Sequence, residues 1–337
     1  MHTSSIKPLA LTMGEPAGIG GEIALKAWEA LRESGPSFVM LDDPTRLKSI
    51  SDALGFGVPI RAVQTMAEGA VAFGDALPVL AQTLSKIAEA GKPDPAHAPA
   101  IIGSIRRAVE LAQAGEASGV VTNPIQKSNL TAAGFKFPGH TEYLEHLAGE
   151  GFKAQMMLAG RGLRVVLVTV HEPLRQAIAR LSTDMIVDAG LRAAKALREE
   201  IGLKNPRIAV AGLNPHAGEN GTLGAEDDAI VAPAVHALQV AGIRAFGPLP
   251  PDTMFTSAAR KGYDCALCLY HDQGLIPLKT LDMMGGVNVT LGLPFVRTSP
   301  DHGTALDIAG KGVAKASSLI AALRMGAKLA AHRHEQS

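Results

Sequence analysis

Unbroken apolar runs alternating with longer helical patterns limit what this chain can fold into more than any other feature of its 337 residues. "LALTM" precedes "GEIALKAWEALRE", "RVVLVTV" precedes "TDMIVDAGLRAAKALREEIG", "RIAVAGL" precedes "AEDDAIVAPAVHALQVAG", and "GVVT" is a further short run. A strand with one wet face alternates polar and apolar residues; a strand covered by helices on both faces is apolar throughout. The pattern therefore predicts an α/β fold with mainly parallel sheets, in a chain long enough for one large or two medium domains. The most loop-like stretch, "EAGKPDPAHAPA", leads into the helical pattern "IIGSIRRAVELAQAG". The last helical pattern, "ASSLIAALRMGAKLAAHRH", is expected to return to the N-terminal half.

Charge removes several classes of partner. Lys and Arg together number 32, as do Asp and Glu, so no basic surface is offered to nucleic acid or anionic lipid. The apolar runs fall far short of the roughly 20 residues that span a bilayer, and "MHTSSIKPLALTM" lacks the apolar region of a secretory signal. A cytoplasmic protein with small partners is expected. The two cysteines, Cys265 and Cys268 in "DCALCLY", have a C-x-x-C spacing. The segment reads as a buried strand, where side chains three apart point to opposite faces, so neither a redox pair nor a zinc clip is expected.

Three histidines stand out. His171 in "LVTVHEP", His216 in "GLNPHAGENG" and His271 in "CLYHDQG" each close an apolar run, and in open α/β sheets ligands bind beyond the carboxyl ends of strands. They lie too far apart in sequence to chelate locally, so the fold or an oligomer must gather them. Three neutral imidazoles with an open position suit a catalytic divalent ion; spacing alone leaves a shared site and three separate histidines both open. Glu172 and Asp272 adjoin His171 and His271 and are candidates for orienting them, against the expectation that adjacent side chains face different ways.

"MGEPAGIGGEIALKA" sets glycines between a strand and a helix, where backbone amides can hold an anion. Gly18 and Gly20 are spaced as in the dinucleotide fingerprint, yet Ile23 stands where Gly or Ala is needed, so a structural turn fits as well as a phosphate cradle. In "FPGHTEYL", His140 and Thr141 precede a helix and suit a phosphate, while Thr141 fits an ordinary N-cap equally. Lys279, Asn288 and Arg297 lie along "LKTLDMMGGVNVTLGLPFVR", where a Lys and an Arg can neutralise a phosphorylated substrate or serve as plain surface charge.

Taken with "VTNPIQKSNL", "GPLPPDTMF" and "GVNVTLGLPFVRTSPDHGTALDIAGKG", these strings cover nearly the whole chain in order. Together they resemble the 4-hydroxythreonine-4-phosphate dehydrogenases of pyridoxal phosphate biosynthesis. The resemblance implies two α/β lobes like those of the isocitrate and isopropylmalate dehydrogenases, with an intervening cleft. The expected lobes are residues 1–127 with 290–337, on the NAD side, and residues 128–289, with metal, substrate and dimer contacts. It also implies a homodimer whose site lies at the interface and a divalent zinc, magnesium or cobalt ion on His171, His216 and His271, one histidine coming from the partner. The phosphorylated substrate would contact His140, Thr141, Lys279, Asn288 and Arg297.

Asp252 and Asp272 become candidates for orienting substrate or moving a proton. His302, Gly303 and Asp307, in "DHGTALDIAGKGVA", become candidates for NAD or NADP without a Rossmann glycine loop. The implied reaction oxidises 4-phosphooxy-L-threonine at C3, and the product then loses carbon dioxide. Threonate-type phosphates, dihydrodiol carboxylates and, on a related fold, phosphatase or acyl-phosphate transfer chemistry are the alternatives. Asn123 departs from the family pattern, where a small residue is frequent.

Overall fold

The structure, a computed structural model, describes residues 7–336 and divides into two compact units: Met1–Ala154 with Leu293–Ser337, and Gln155–Gly292. Among the described residues there are twelve strands. Six belong to the first unit: β1 (Leu9–Thr12), β2 (Phe38–Asp42), β3 (Ile60–Val63), β4 (Leu77–Ala81), β5 (Val120–Val121) and β12 (Arg297–Pro300). The second unit holds β6 (Gln155–Gly160), β7 (Leu163–Leu167), β8 (Arg207–Ala211), β9 (Arg244–Leu249), β10 (Cys265–Cys268) and β11 (Val287–Leu291).

The first unit is a wholly parallel sheet in the order β3-β4-β2-β1-β5-β12. Its central strands are the apolar runs of the sequence, and every residue of β1, β2, β5 and β12 is buried. The helices Gly20–Leu31, Ala98–Gln113 and Ser317–Gln336 pack on it, so the C-terminal helix returns to the N-terminal strands as expected. Each fully buried Leu or Ile on these faces contributes roughly 1.5–3 kcal/mol.

The helices Lys127–Ala132 and His140–Ala148 also belong here, whereas the sequence reading began its second lobe at residue 128. Leu130, Tyr143 and Leu144 insert among Ala10, Ile101 and Val120, and this burial holds both helices to the first unit. The chain enters the second unit only after Ala154.

In the second unit the order is β11-β6-β7-β10-β8-β9. Strands β7, β10, β8 and β9 run parallel, while β6 is antiparallel to both β7 and β11. A two-residue turn, Arg161 (φ 40°) and Gly162 (φ 78°), reverses the chain between β6 and β7; positive φ at both positions is what the twist of a tight hairpin requires. Cys265 and Cys268 lie in β10, both free and fully buried. Burial pushes the Cys265 thiol up to about 12 and Cys268 well above the ordinary range. Among the described residues no helix is long and apolar enough to cross a membrane.

Candidate active site

Parallel strands bring their following loops to one edge, and this places the histidines. His171 follows β7, His271 opens the helix His271–Leu281 after β10, His216 lies in the loop after β8, and Asp252 lies in the short helix Pro251–Met254 after β9. Four consecutive parallel strands thus deliver four of the candidate residues to the same edge. The His171 and His271 rings stand 5.6 Å apart, centroid to centroid, and both line a cavity of about 430 Å³ with Thr169, Tyr270 and Asp272.

Asp272 does turn towards its neighbour: its Oδ1 lies 2.7 Å from His271 Nδ1. The extended backbone of Tyr270 (φ −141°, ψ 163°) leads into the first helical turn and lets the two side chains meet. With Nδ1 engaged by a carboxylate, Nε2 is the nitrogen left available to hold a metal ion, the arrangement typical of metal-bound histidines. Glu172 instead accepts a hydrogen bond from Arg180 Nη1 at 2.9 Å, so it is held by an arginine. Among the described residues no three His, Cys, Asp or Glu side chains gather as a ligand set, and His216 stands outside the pair.

Two residues that the sequence reading missed hold the His216 loop. Asp227, fully buried, accepts hydrogen bonds from Leu213 N (2.7 Å), Asn214 N (2.9 Å) and Asn214 Nδ2 (3.0 Å). Gln273 accepts from Leu269 N (2.7 Å) and donates to Gly212 O (2.6 Å), tying the loop after β10 to the loop after β8. These restraints offset a costly backbone: His216, Ala217, Glu219 and Asn220 all have positive φ, between 43° and 56°. Gln273→Leu keeps the volume but leaves a buried N–H and a buried carbonyl unpaired. We expect it to lower the free energy of unfolding by about 2 kcal/mol or more, read by urea denaturation; an unchanged midpoint would show that the tie does not hold the loops.

The first unit gathers a second group. Gly139, not Thr141, is the N-cap of the helix His140–Ala148, so the ordinary-cap explanation of Thr141 does not apply. His140 is kept neutral: burial, then the Arg297 guanidinium, then Lys127 hold its imidazole well below the usual range. Its Nε2 is inaccessible and has no hydrogen-bond partner among the described residues. Arg297, only 3% exposed, donates to Thr122 Oγ1 at 2.6 Å, and burial lowers its guanidinium to about 10, which leaves it charged at neutral pH. Lys279 and Asn288 lie in the second unit, on the helix that His271 opens and on β11. Lys279 sits eight residues beyond His271, about 12 Å along the axis.

His302, Gly303 and Asp307 share the loop after β12. His302 Nδ1 lies 3.0 Å from Gly303 O, and Thr304 binds this loop to the rest of the unit through Ile19 N and Gln126 Oε1. The "MGEPAGIGG" loop is a turn whose amides are used internally: Gly18 N donates to Glu15 O and Ile19 N to Thr304 O. A Cβ at Gly18 would lie 2.8 Å from Thr304 O, so close approach of the backbone requires that glycine. Asn123 is fully buried and donates to Thr12 O (3.1 Å) and Gly20 O (3.4 Å), bracing β1 against the first helix.

This arrangement has known counterparts. Residues 35–326 match the profile of the pyridoxal phosphate biosynthetic protein PdxA family. A 4-hydroxythreonine-4-phosphate dehydrogenase of Caulobacter vibrioides is 52% identical over 332 residues, covering 97% of this chain and 98% of that one. Among solved structures, the 4-hydroxythreonine-4-phosphate dehydrogenase of Klebsiella pneumoniae superposes with a TM-score of 0.85 at 39% identity, covering 96% of this chain and 99% of the other. A terephthalate 1,2-cis-dihydrodiol dehydrogenase of Burkholderia xenovorans does so with 0.64 at 27%, covering 96% and 98%. With a family profile spanning most of its length and a relative about half identical from end to end, the chain is a dehydrogenase and belongs to the pyridoxal phosphate biosynthetic protein PdxA family.

Proposed function

We propose that this enzyme oxidises the C3 hydroxyl of 4-phosphooxy-L-threonine with NAD, as a cytoplasmic homodimer carrying a divalent metal on His171, His216 and His271. The observation that carries the reading is the His171–His271 pair at the carboxyl edge of β7 and β10, with Asp272 on His271 Nδ1. Rings at this separation are compatible with two nitrogens each about 2.0–2.1 Å from one ion. His216 is then the ligand that the partner subunit supplies. Zinc, magnesium and cobalt all suit a set of this kind; the chemistry the ion supplies is a lowered pKa at a coordinated oxygen.

The protein's own groups do the rest. Asp272 fixes the His271 ring, and Asp252 or Asp272 receives the proton of the C3 hydroxyl. The loop of His302, Gly303 and Asp307 would hold NAD, which when bound would supply the acceptor for the C3 hydride, leaving a ketone at C3. The carboxylate of 2-amino-3-oxo-4-phosphooxybutanoate is then β to a carbonyl, so loss of carbon dioxide gives 3-amino-2-oxopropyl phosphate. His140, Thr141 and Arg297, with Lys279 and Asn288 by resemblance, are assigned to the substrate. Binding energy at a phosphate remote from C3 serves to position the hydride.

Metal-stripped protein is expected to form no NADH from NAD and 4-phosphooxy-L-threonine, and to recover on addition of zinc, magnesium or cobalt. Oxidation of threonate 4-phosphate or a dihydrodiol carboxylate in its place would reassign the substrate. Phosphate release without NAD would remove the dehydrogenase reading of the site.

A further inference from the structure

We propose that Lys26 is a positioning residue for NAD: with Glu22 it clamps residues 312–314 and so sets the path of the loop that carries His302, Gly303 and Asp307. The proposal rests on the reading of that loop as the cofactor's. It adds two residues of the first helix, Gly20–Leu31, for which the family resemblance gave no role.

Among the described residues the chain between β12 and the helix Ser317–Gln336 forms no helix or strand. A segment without its own backbone ladder keeps one shape only where outside groups hold it. One hold is at Thr304, which is buried, accepts from Ile19 N at 3.1 Å and donates from Oγ1 to Gln126 Oε1 at 3.2 Å. A second is at Ala314, also buried. Gly303 and Asp307 are exposed, and Asp307 lies between the two holds.

The second hold is built by a charged pair. Glu22 and Lys26 stand four residues apart on their helix, so their side chains share a face. Glu22 Oε1 accepts from Ala314 N at 3.1 Å and lies 3.5 Å from Lys26 Nζ, while Lys26 Nζ donates to Gly312 O at 2.8 Å and to Ala314 O at 2.6 Å. An ammonium has three donors, and these three acceptors take them. The Phe56 ring lies 5.2 Å from Nζ and adds a cation–π contact. Gly312 has φ 71°, so the chain turns at this hold through a conformation that glycine takes without strain. Glu22 is 2% exposed, and a buried carboxylate is costly unless it is paired. Removing the ammonium would leave that carboxylate without its counter-charge and two loop carbonyls without a donor, a larger loss than that of a surface ion pair. Every contact with the loop is to its backbone, so the pair sets the path of the chain and Asp307 takes its position from it.

The test pairs hydrogen exchange of the loop with steady-state kinetics on metal-loaded, full-length Lys26→Met, which keeps the length of the side chain and loses its donors. The amides of residues 305–314 are expected to exchange about 10- to 100-fold faster than in wild type, with the rest of the first unit unchanged. KM for NAD should rise about 10-fold or more, while kcat and KM for 4-phosphooxy-L-threonine stay within about threefold. If Lys26→Met does not fold, the milder Lys26→Gln, which keeps a donor, carries the same comparison. The proposal is overturned if the loop exchanges as in wild type. It is equally overturned if kcat and both KM values worsen together as the melting temperature falls, the mark of a general loss of fold. Faster exchange of the loop with KM for NAD within about twofold of wild type also overturns it, but by removing the loop from the cofactor site with the clamp left standing, so the two failures are told apart.

Discussion

His271→Ala will cost at least ~1,000-fold in kcat/KM, since an ion that eases an alcohol's ionisation supplies several kcal/mol of transition-state stabilisation and each 1.36 kcal/mol is tenfold. His271 carries this weight because it is held on both sides: Asp272 fixes Nδ1, and the ring faces His171 across the cavity. Asp272→Asn keeps the imidazole and loses the anionic partner, so about a 10- to 100-fold loss of metal affinity is expected, a smaller effect through the same atom. His271 is only half-buried, so the alanine variant should unfold within about 0.5 kcal/mol of wild type, and a fall in rate is then not a folding defect. Activity within tenfold of wild type at saturating metal would show that the histidine pair does not hold the catalytic ion.

Subunit complementation should give the second large effect. His216→Ala and His271→Ala homodimers are each expected to be inactive. In a mixed dimer, the subunit that lacks His216 retains His171 and His271, and its partner offers an intact His216. One of the two sites is then whole. Random exchange at equal amounts makes half of the dimers mixed, so activity should return to about a quarter of wild type. If all three ligands came from one chain, no mixture of these variants would contain a whole site and the rate would stay at background. The assay reads the origin of His216 directly, and it needs only denaturation and refolding of the mixed chains.

Much of this was legible before any coordinates. The apolar runs identify the buried strands, and a histidine beyond such a run marks the carboxyl edge of a parallel sheet, so β7, β8 and β10 and the histidines that follow them could be read together. The mainly parallel direction was legible too, but the reversal of β6 was not, because it depends on the two positive φ values at Arg161 and Gly162, which the apolar content of the runs does not reveal. Gln273 and Asp227 look like ordinary polar residues in helical segments, and only burial beside unpaired backbone groups makes them restraints on the His216 loop. Residues 128–148 were placed in the second lobe, since nothing in their sequence marks the boundary and the few apolar positions that anchor them to the first unit, Leu130 and Leu144 among them, act only through tertiary packing. Asp272 was placed in doubt by a rule about neighbouring side chains that fails in a first helical turn entered from extended backbone.

Cys265 and Cys268 have a practical consequence. Alkylating and labelling reagents react with exposed thiolates, and these two sulfurs are neither exposed nor ionised at neutral pH. A single cysteine introduced on the surface would therefore be chemically unique in the folded protein, with no need to delete the native pair. In the proposed dimer, a spin label or fluorophore attached there would report one distance per pair of subunits. The arrangement of the two chains of that dimer, and its response to metal or phosphate, would become measurable in solution on an otherwise unaltered enzyme.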